Sequence, residues 1–267
     1  MMEYDRTPAE ITEKIKNMEW SFSRVSADSC MYNFYLTYVE GDKGIENAYA
    51  QFGTICHKAI EKLLKNELSL FNIADWYEEN YTNYVTCDFP PNKYTDLGQD
   101  RYEKGLSYFQ NLMFDFNKYE VLGVEKEYHF NVGKYPFKGF VDAIYRDKET
   151  GEIIIRDHKT SSFKYKKDGS LSKTSLPTFE HYKMQELIYS IPVMEEYGRV
   201  DYLSWNMICD QHEIKIPYKK EEMEETVQWA IQSIEKLEQE VLWLPDNSNS
   251  YFCSVLCNHR GICPYKQ

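Results

Sequence analysis

The chain has 267 residues, a formal net charge of −12 and a mean hydropathy of −0.64, enough length to bury one sizeable core. No apolar stretch approaches the ~20 residues that cross a bilayer, and the N-terminus MMEYDRTPAE has no basic segment followed by an apolar one. A soluble, cytoplasmic protein with no membrane partner is expected. The acidic balance argues against an extended phosphate-binding surface, which needs clustered Lys and Arg, yet residues 158–176 carry five lysines against the single acid Asp168.

In chain order, residues 1–120 read as helical. Ile45, Ala48, Phe52, Ile55, Cys56, Ala59 and Leu63 keep one helix face, and His57 joins Gly53, Ile60 and Leu64 in a second row beside it. Further helices are expected near FNIADWYEEN and from Gln99 to Asn117. In residues 121–217 the period changes. VLGVEKEYHFNV, YPFKGFVDAIYR and GEIIIRDHK read as strands joined by turns at Gly133 and at 149–151. A helix from Thr178 to Met194 follows, then strands in VDYLSWNMI and HEIKI. Residues 218–267 hold an acidic helix and a cysteine-bearing tail. The expected fold is α/β, one domain with a mixed central sheet flanked by helices.

The run IIIRDHK concentrates the chemistry. Alternate side chains of a strand project to opposite faces, so Asp157 and Lys159 share a face and His158 points away. Asp142 lies in the apolar setting of GFVDAIYR, where a carboxylate needs a partner or a cation. Neighbouring strands lie about 4.8 Å apart, so Asp142 and Asp157 can share one divalent cation. Lys159 would then stand beside it, placed to steady a phosphate or an attacking water. Gln185 and Tyr189, four apart on a helix, point the same way as a hydrogen-bonding pair. Taken singly, an Asp–Lys pair is most often an ordinary ion pair, and a half-buried histidine is most often structural. The inference rests on their order. The lysines after Thr160 read equally as a solvated connection or as a DNA contact.

GTICHKAIE around His57, GVEKEY, GFVDAI around Asp142, IIIRDHKTS and QELIY resemble, in this order, the motifs of the PD-(D/E)XK nuclease superfamily, and specifically its RecB-like branch, from about residue 20 to the C-terminus. The resemblance implies a restriction-endonuclease-like core in which His57, Asp142, Asp157 and the carbonyl of His158 hold Mg²⁺ or Mn²⁺. It further implies that Lys159 positions the nucleophilic water, with Gln185 and Tyr189 completing the catalytic set. Glu125 and Glu127 share a strand face, and either can be the upstream acid. The implied activity is metal-dependent DNA exonuclease action on single-stranded or free ends, in recombination, repair or phage or CRISPR DNA processing, alone or with a protein partner. Lys164, Lys166, Lys167 and Lys173 are the candidate DNA contacts. The alternatives are a DNA-end-binding adaptor with a weak nuclease site and a zinc-stabilised RNA-processing or sequence-specific endonuclease.

The tail FCSVLCNHRGICPYKQ sets Cys253, Cys257 and Cys263 at C-x₃-C-x₅-C. Three thiolates leave one position open in a four-ligand iron–sulfur or zinc site, and Cys30 is the distant candidate for it. This pattern resembles the iron–sulfur subset of RecB-like nucleases, the AddB-type and CRISPR adaptation enzymes. The resemblance implies a structural [4Fe–4S] cluster that ties the two chain ends together. The C-x₃-C spacing departs from the commoner C-x₂-C, which keeps zinc open with His259 as a substitute ligand. Cys56, Cys87 and Cys209 read as buried thiols.

Overall fold

The computed structural model describes residues 7–27 and 30–265. In chain order it contains α1 (Pro8–Lys16), α2 (Phe22–Val25), α3 (Met31–Phe34) running into a π-helical turn at Tyr35–Glu40, α4 (Ala48–Leu64), α5 (Ile73–Tyr84) and α6 (Leu97–Asn111). Strands β1 (Tyr119–Val132), β2 (Tyr135–Asp147) and β3 (Ile153–Lys159) follow, then α7 (Leu176–Tyr197), β4 (Tyr202–Met207), β5 (His212–Pro217) and α8 (Lys220–Glu238). The described residues form two compact units. One holds those up to Asn47, His129–Gly139 and those from Glu224 onward; the other holds Ala48–Tyr128 and Phe140–Met223.

The second unit carries the mixed sheet, in the order β1-β2-β3-β4-β5. β3 runs antiparallel to β2 and parallel to β4, and β5 returns antiparallel. A parallel neighbour needs a crossover, and α7 supplies it between β3 and β4. Phe52, Ile55, Cys56, Ala59 and Leu63 of α4 form one core with Tyr77, Phe109, Ala143, Tyr145 and Ile154. That core fixes α4 against the sheet face bearing the even-numbered residues of β3. α7 serves the opposite face, where the ring of Phe179 lies 4.9 Å from that of Trp205.

Helix boundaries differ from the sequence expectation: α7, expected over Thr178 to Met194, runs Leu176–Tyr197, and two others shift for identifiable reasons. α4 begins at Ala48, and Ile45 lies before it with 58% of its surface exposed. α6 ends at Asn111 rather than Asn117, because Leu112 turns to extended backbone and the Asp115 carboxylate accepts the amides of Asn117 and Lys118, closing a turn that leads into β1.

In the first unit Trp20 pairs as a bridge with Phe137, and α8 buries Ala230, Ile234 and Leu237 while its acids face outward. The tail is anchored by Trp243, fully buried and stacked on Phe34 at 5.6 Å. It is held further by the Ile45 amide donating to the Asn258 carbonyl at 2.8 Å and by Arg260, which donates to the carbonyls of Ile45 and Glu46.

Candidate active site

The β2–β3 register pairs Ala143 with Arg156, so one step further sets Asp142 opposite Asp157. The His158 amide donates to Asp142 Oδ2 at 2.8 Å. Asp157 is buried, and Lys159 Nζ lies 2.7 Å from its Oδ2. The same ammonium donates to Gln185 Oε1 at 3.1 Å and sits 4.5 Å from the Tyr182 ring centroid. Three oxygen or π acceptors therefore hold one cation at the end of an apolar strand.

His57 enters from α4, its main apolar stripe packed in the core and its imidazole turned to the strand ends. Nε2 lies 2.8 Å from the His158 carbonyl, and Nδ1 lies 3.4 Å from both Glu125 Oε1 and Asp142 Oδ2. Glu125 arrives there because its backbone is left-handed, φ 47°. A non-glycine residue in that region interrupts strand alternation, so Glu125 rather than Glu127 meets His57. On an unbroken strand, as the pattern of VLGVEKEYHFNV reads, the two acids share a face and are equivalent. Among the described residues, His57, Glu125 and Asp142 form the one group of His, Cys, Asp or Glu whose ligand atoms all fall within 4.8 Å of one another. Carboxylate oxygens with one imidazole are a donor set for Mg²⁺ or Mn²⁺.

The electrostatics follow from burial and crowding. Burial pushes Asp157 up; Lys159 pulls it back and Asp142 pushes it further. Burial disfavours the Lys159 ammonium, but Asp157 outweighs it and holds the amine above its ordinary range. For His57, burial acts downward and is overcome by Asp142, Glu125 and Asp157, so the ring is pushed up to about 9. The side chain of His158 points away from Asp157, and burial followed by His57 keeps it well below the usual histidine range. Tyr189 is buried and, chiefly by that burial, pushed up to about 12.

Sequence reasoning missed Glu186. It follows Gln185 on α7, is 2% exposed and leaves Oε2 without a hydrogen-bond partner. Burial, then Asp157 and Asp142, raise its carboxyl well above the usual range. Nothing in QELIY marks it, because an acid inside a helix pattern is ordinarily solvent-facing.

The four candidate DNA-contacting lysines, Lys164, Lys166, Lys167 and Lys173, are exposed. Their segment is a small folded hairpin. Tyr165 bridges Leu171, the Lys166 amide donates to the Ser170 carbonyl at 2.7 Å, and the Asp210 carboxylate accepts the Phe163 amide. In the first unit Cys30, Cys253, Cys257 and Cys263 border one small cavity as free thiols. His259 is buried there with Nδ1 2.9 Å from Asn33 Oδ1 and Nε2 3.0 Å from the Asp42 carbonyl, so both ring nitrogens are engaged. Cys56 and Cys209 are buried as expected, whereas Cys87 is only half-buried.

The family model of the PD-(D/E)XK nuclease superfamily matches residues 19–264. The chain belongs to this superfamily. It is a nuclease; PD-(D/E)XK nucleases use divalent metals, and His57, Glu125 and Asp142 could hold one. Among solved structures, an inferred exonuclease from Eubacterium rectale is similar in fold, with a TM-score of 0.52 over 98% of this chain and 95% of that one at 12% identity. The structure of SSO0001 aligns with a TM-score of 0.34 at 23% identity over 79% of this chain and 83% of that one. A search of curated proteins finds no match. Among the described residues no helix is long and apolar enough to cross a membrane.

Proposed function

We propose that this PD-(D/E)XK nuclease is a RecB-like, metal-dependent DNA exonuclease that hydrolyses phosphodiester bonds at single-stranded ends. The observation that carries the reading is the convergence of His57, Asp142, the His158 backbone and the Asp157–Lys159 pair where the C-terminal end of β3 meets the middle of β2. His57, Glu125, Asp142, Asp157 and the His158 carbonyl are the residues that would hold Mg²⁺ or Mn²⁺. When bound, the metal supplies a nucleophilic hydroxide at neutral pH and offsets charge on the phosphate. Lys159, held between Asp157 and Gln185, would position the attacking water and the scissile phosphate. Gln185 orients Lys159, and Tyr189 is buried one turn further along the same helix. The exposed lysines of 164–173 would draw the strand towards the site, and aromatic side chains would stack its bases. The family match runs through both compact units, in keeping with one nuclease domain.

The same proposal assigns Cys30, Cys253, Cys257 and Cys263 to a [4Fe–4S] cluster. Four thiols from both ends of the chain border one cavity, and burial first, then Cys30 and Cys263, raise the Cys253 thiol. An all-sulfur donor set is soft and fits iron–sulfur or zinc. With both nitrogens of His259 engaged, a cysteine–histidine zinc site has no ready imidazole. Protein purified without oxygen should contain iron and acid-labile sulfide in equal amounts, and Cys257→Ser should lose both; zinc in their place would refute the cluster.

End-labelled single-stranded DNA is incubated with Mn²⁺ and wild type, beside Asp157→Asn of equal iron content. Mononucleotides or short ladders from the wild type alone are expected. Tight DNA binding without cleavage by either protein would refute the exonuclease and leave a binding platform.

A further inference from the structure

We infer that a cavity on the sheet face opposite the Asp157–Lys159 pair is a second binding site, taking a neutral nucleoside-sized heterocycle. The alternation of β3 creates it. Arg156 and His158 project to the side away from Asp157 and Lys159 and line a cavity of about 230 Å³ between β3–β5 and the α4 and α6 layer, smaller than the ~300–1,000 Å³ of sites for drug-sized ligands.

The polar wall is built. Asn206 Nδ2 donates to Tyr108 Oη at 2.5 Å and lies 3.0 Å from His158 Nδ1. With an amide donor on it, Nδ1 accepts, which puts the proton of the neutral ring on Nε2. His158 is 4% exposed and its Nε2 has no hydrogen-bond partner. A buried donor left unpaired is unfavourable, so a group bearing an acceptor is favoured beside it. Arg156 does not make the cavity an anion site. Its Nη2 lies 2.5 Å from Glu213 Oε1, and Ser204 Oγ joins Arg156 Nε to the same carboxylate, so the charges cancel within the wall and a neutral ligand is selected. Asn111, Gln211 and His212 add polar side chains at the β5 and α6 side, and much of the remaining lining is apolar or aromatic. Tyr145 lies under the Arg156 guanidinium at 5.1 Å, and Leu63, Leu112 and Phe114 lie among the apolar residues of the wall. A donor beside an amide and a carboxylate, against aromatic and aliphatic walls, matches the edge and face of a nucleobase.

His158 ties the cavity to the candidate active site. Its side chain lines one, while its amide and carbonyl contact Asp142 and His57 in the other. A ligand bound to the imidazole acts on the metal-site geometry through one residue.

The test uses full-length protein with ¹⁵N-labelled histidine and four unphosphorylated nucleosides, which offer the metal site no phosphate. The Nε2–H resonance of His158 is followed by NMR, in wild type and in Leu112→Trp, which fills the cavity from its half-buried rim. At least one nucleoside should shift the wild-type resonance saturably. The cavity-filling variant should weaken binding by roughly tenfold or more, the loss of about one hydrogen bond and its packing. The shift should persist in Asp157→Asn. No shift with any of the four in the wild type would overturn the inference. So would a shift that Leu112→Trp, folded by its own histidine spectrum, leaves unchanged. Should Leu112→Trp fail to fold, the wild-type and Asp157→Asn titrations still decide.

Discussion

Lowering the pH should weaken divalent-metal binding through His57 in a calculable way. Both ring nitrogens face oxygen acceptors, Nε2 the His158 carbonyl and Nδ1 Glu125 and Asp142, and the ring is pushed up to about 9. A ring so placed carries two protons at pH 7, and one must leave before a nitrogen can donate to a metal. Two pH units below 9 the proton opposes binding by ~2.7 kcal/mol, or about a hundredfold in affinity, at ~1.36 kcal/mol per unit. The stability sign runs the other way. A raised histidine stabilises the metal-free fold fully below its unfolded value, and that contribution fades as pH rises through about 9. Calorimetric Mn²⁺ titration between pH 7 and pH 9, in buffers of different ionisation enthalpy, should show affinity rising about tenfold per unit with release of about one proton. His57→Gln should flatten the slope. An affinity independent of pH, with no proton released by the wild type, would refute the imidazolium and its role as ligand.

Three further outcomes are expected. Lys159→Met should abolish cleavage and still fold, because Asp157, already pushed up by burial, takes a proton. Its destabilisation should stay below the ~3–5 kcal/mol of an unpaired buried charge at pH 6 and grow towards pH 9 in denaturant melts. Glu186→Gln should be at least as stable as wild type, since a raised carboxyl loses stability as pH climbs above its unfolded value. The gap should widen from pH 5 to pH 8, and a Gln variant less stable at pH 8 would show that Glu186 is ionised. Gly105→Ala would set its Cβ 2.3 Å from Tyr77 Oη and 3.2 Å from Phe52 Cε2, so overpacking should lower stability by ~1–3 kcal/mol, read as a drop in melting temperature.

What could be read in advance was whatever depends on periodicity. The α4 stripe, the period-two strands and the opposed faces of Asp157 and His158 follow from side-chain geometry alone, and the structure places them so. The limits came where tertiary contacts override local pattern. Ile45 fits the helical stripe, yet its amide bonds to Asn258, more than two hundred positions away. The choice between Glu125 and Glu127 depends on a left-handed backbone at one non-glycine residue, which no composition signals. Glu186 carries no mark in the sequence, because burial of a carboxyl is a property of what packs on it, not of its neighbours in the chain.

The charge arrangement at the strand ends carries one last consequence. Asp157 and Lys159 cancel as a buried pair, and burial disfavours charge on Glu186, so the local balance is set by His57, Glu125 and Asp142. In formal charges two carboxylates against one imidazolium leave −1, and a phosphodiester approaching that centre is repelled, on a chain whose net charge is already −12. Replacing the proton with a divalent cation brings the same three residues to zero and sets a positive ion beside Lys159. Strand binding should therefore depend on the metal apart from cleavage. With Ca²⁺ as a hard, oxygen-binding cation in place of Mn²⁺, the affinity for a short single strand should exceed that in EDTA by tenfold or more, about the ~1.4 kcal/mol of one charge contact partly screened by solvent. Asp142→Asn should lose most of this gain. Equal affinity with Ca²⁺ and with EDTA would mean that the strand is held by the exposed lysines of 164–173 alone, and that the acids at the strand ends do not govern its approach.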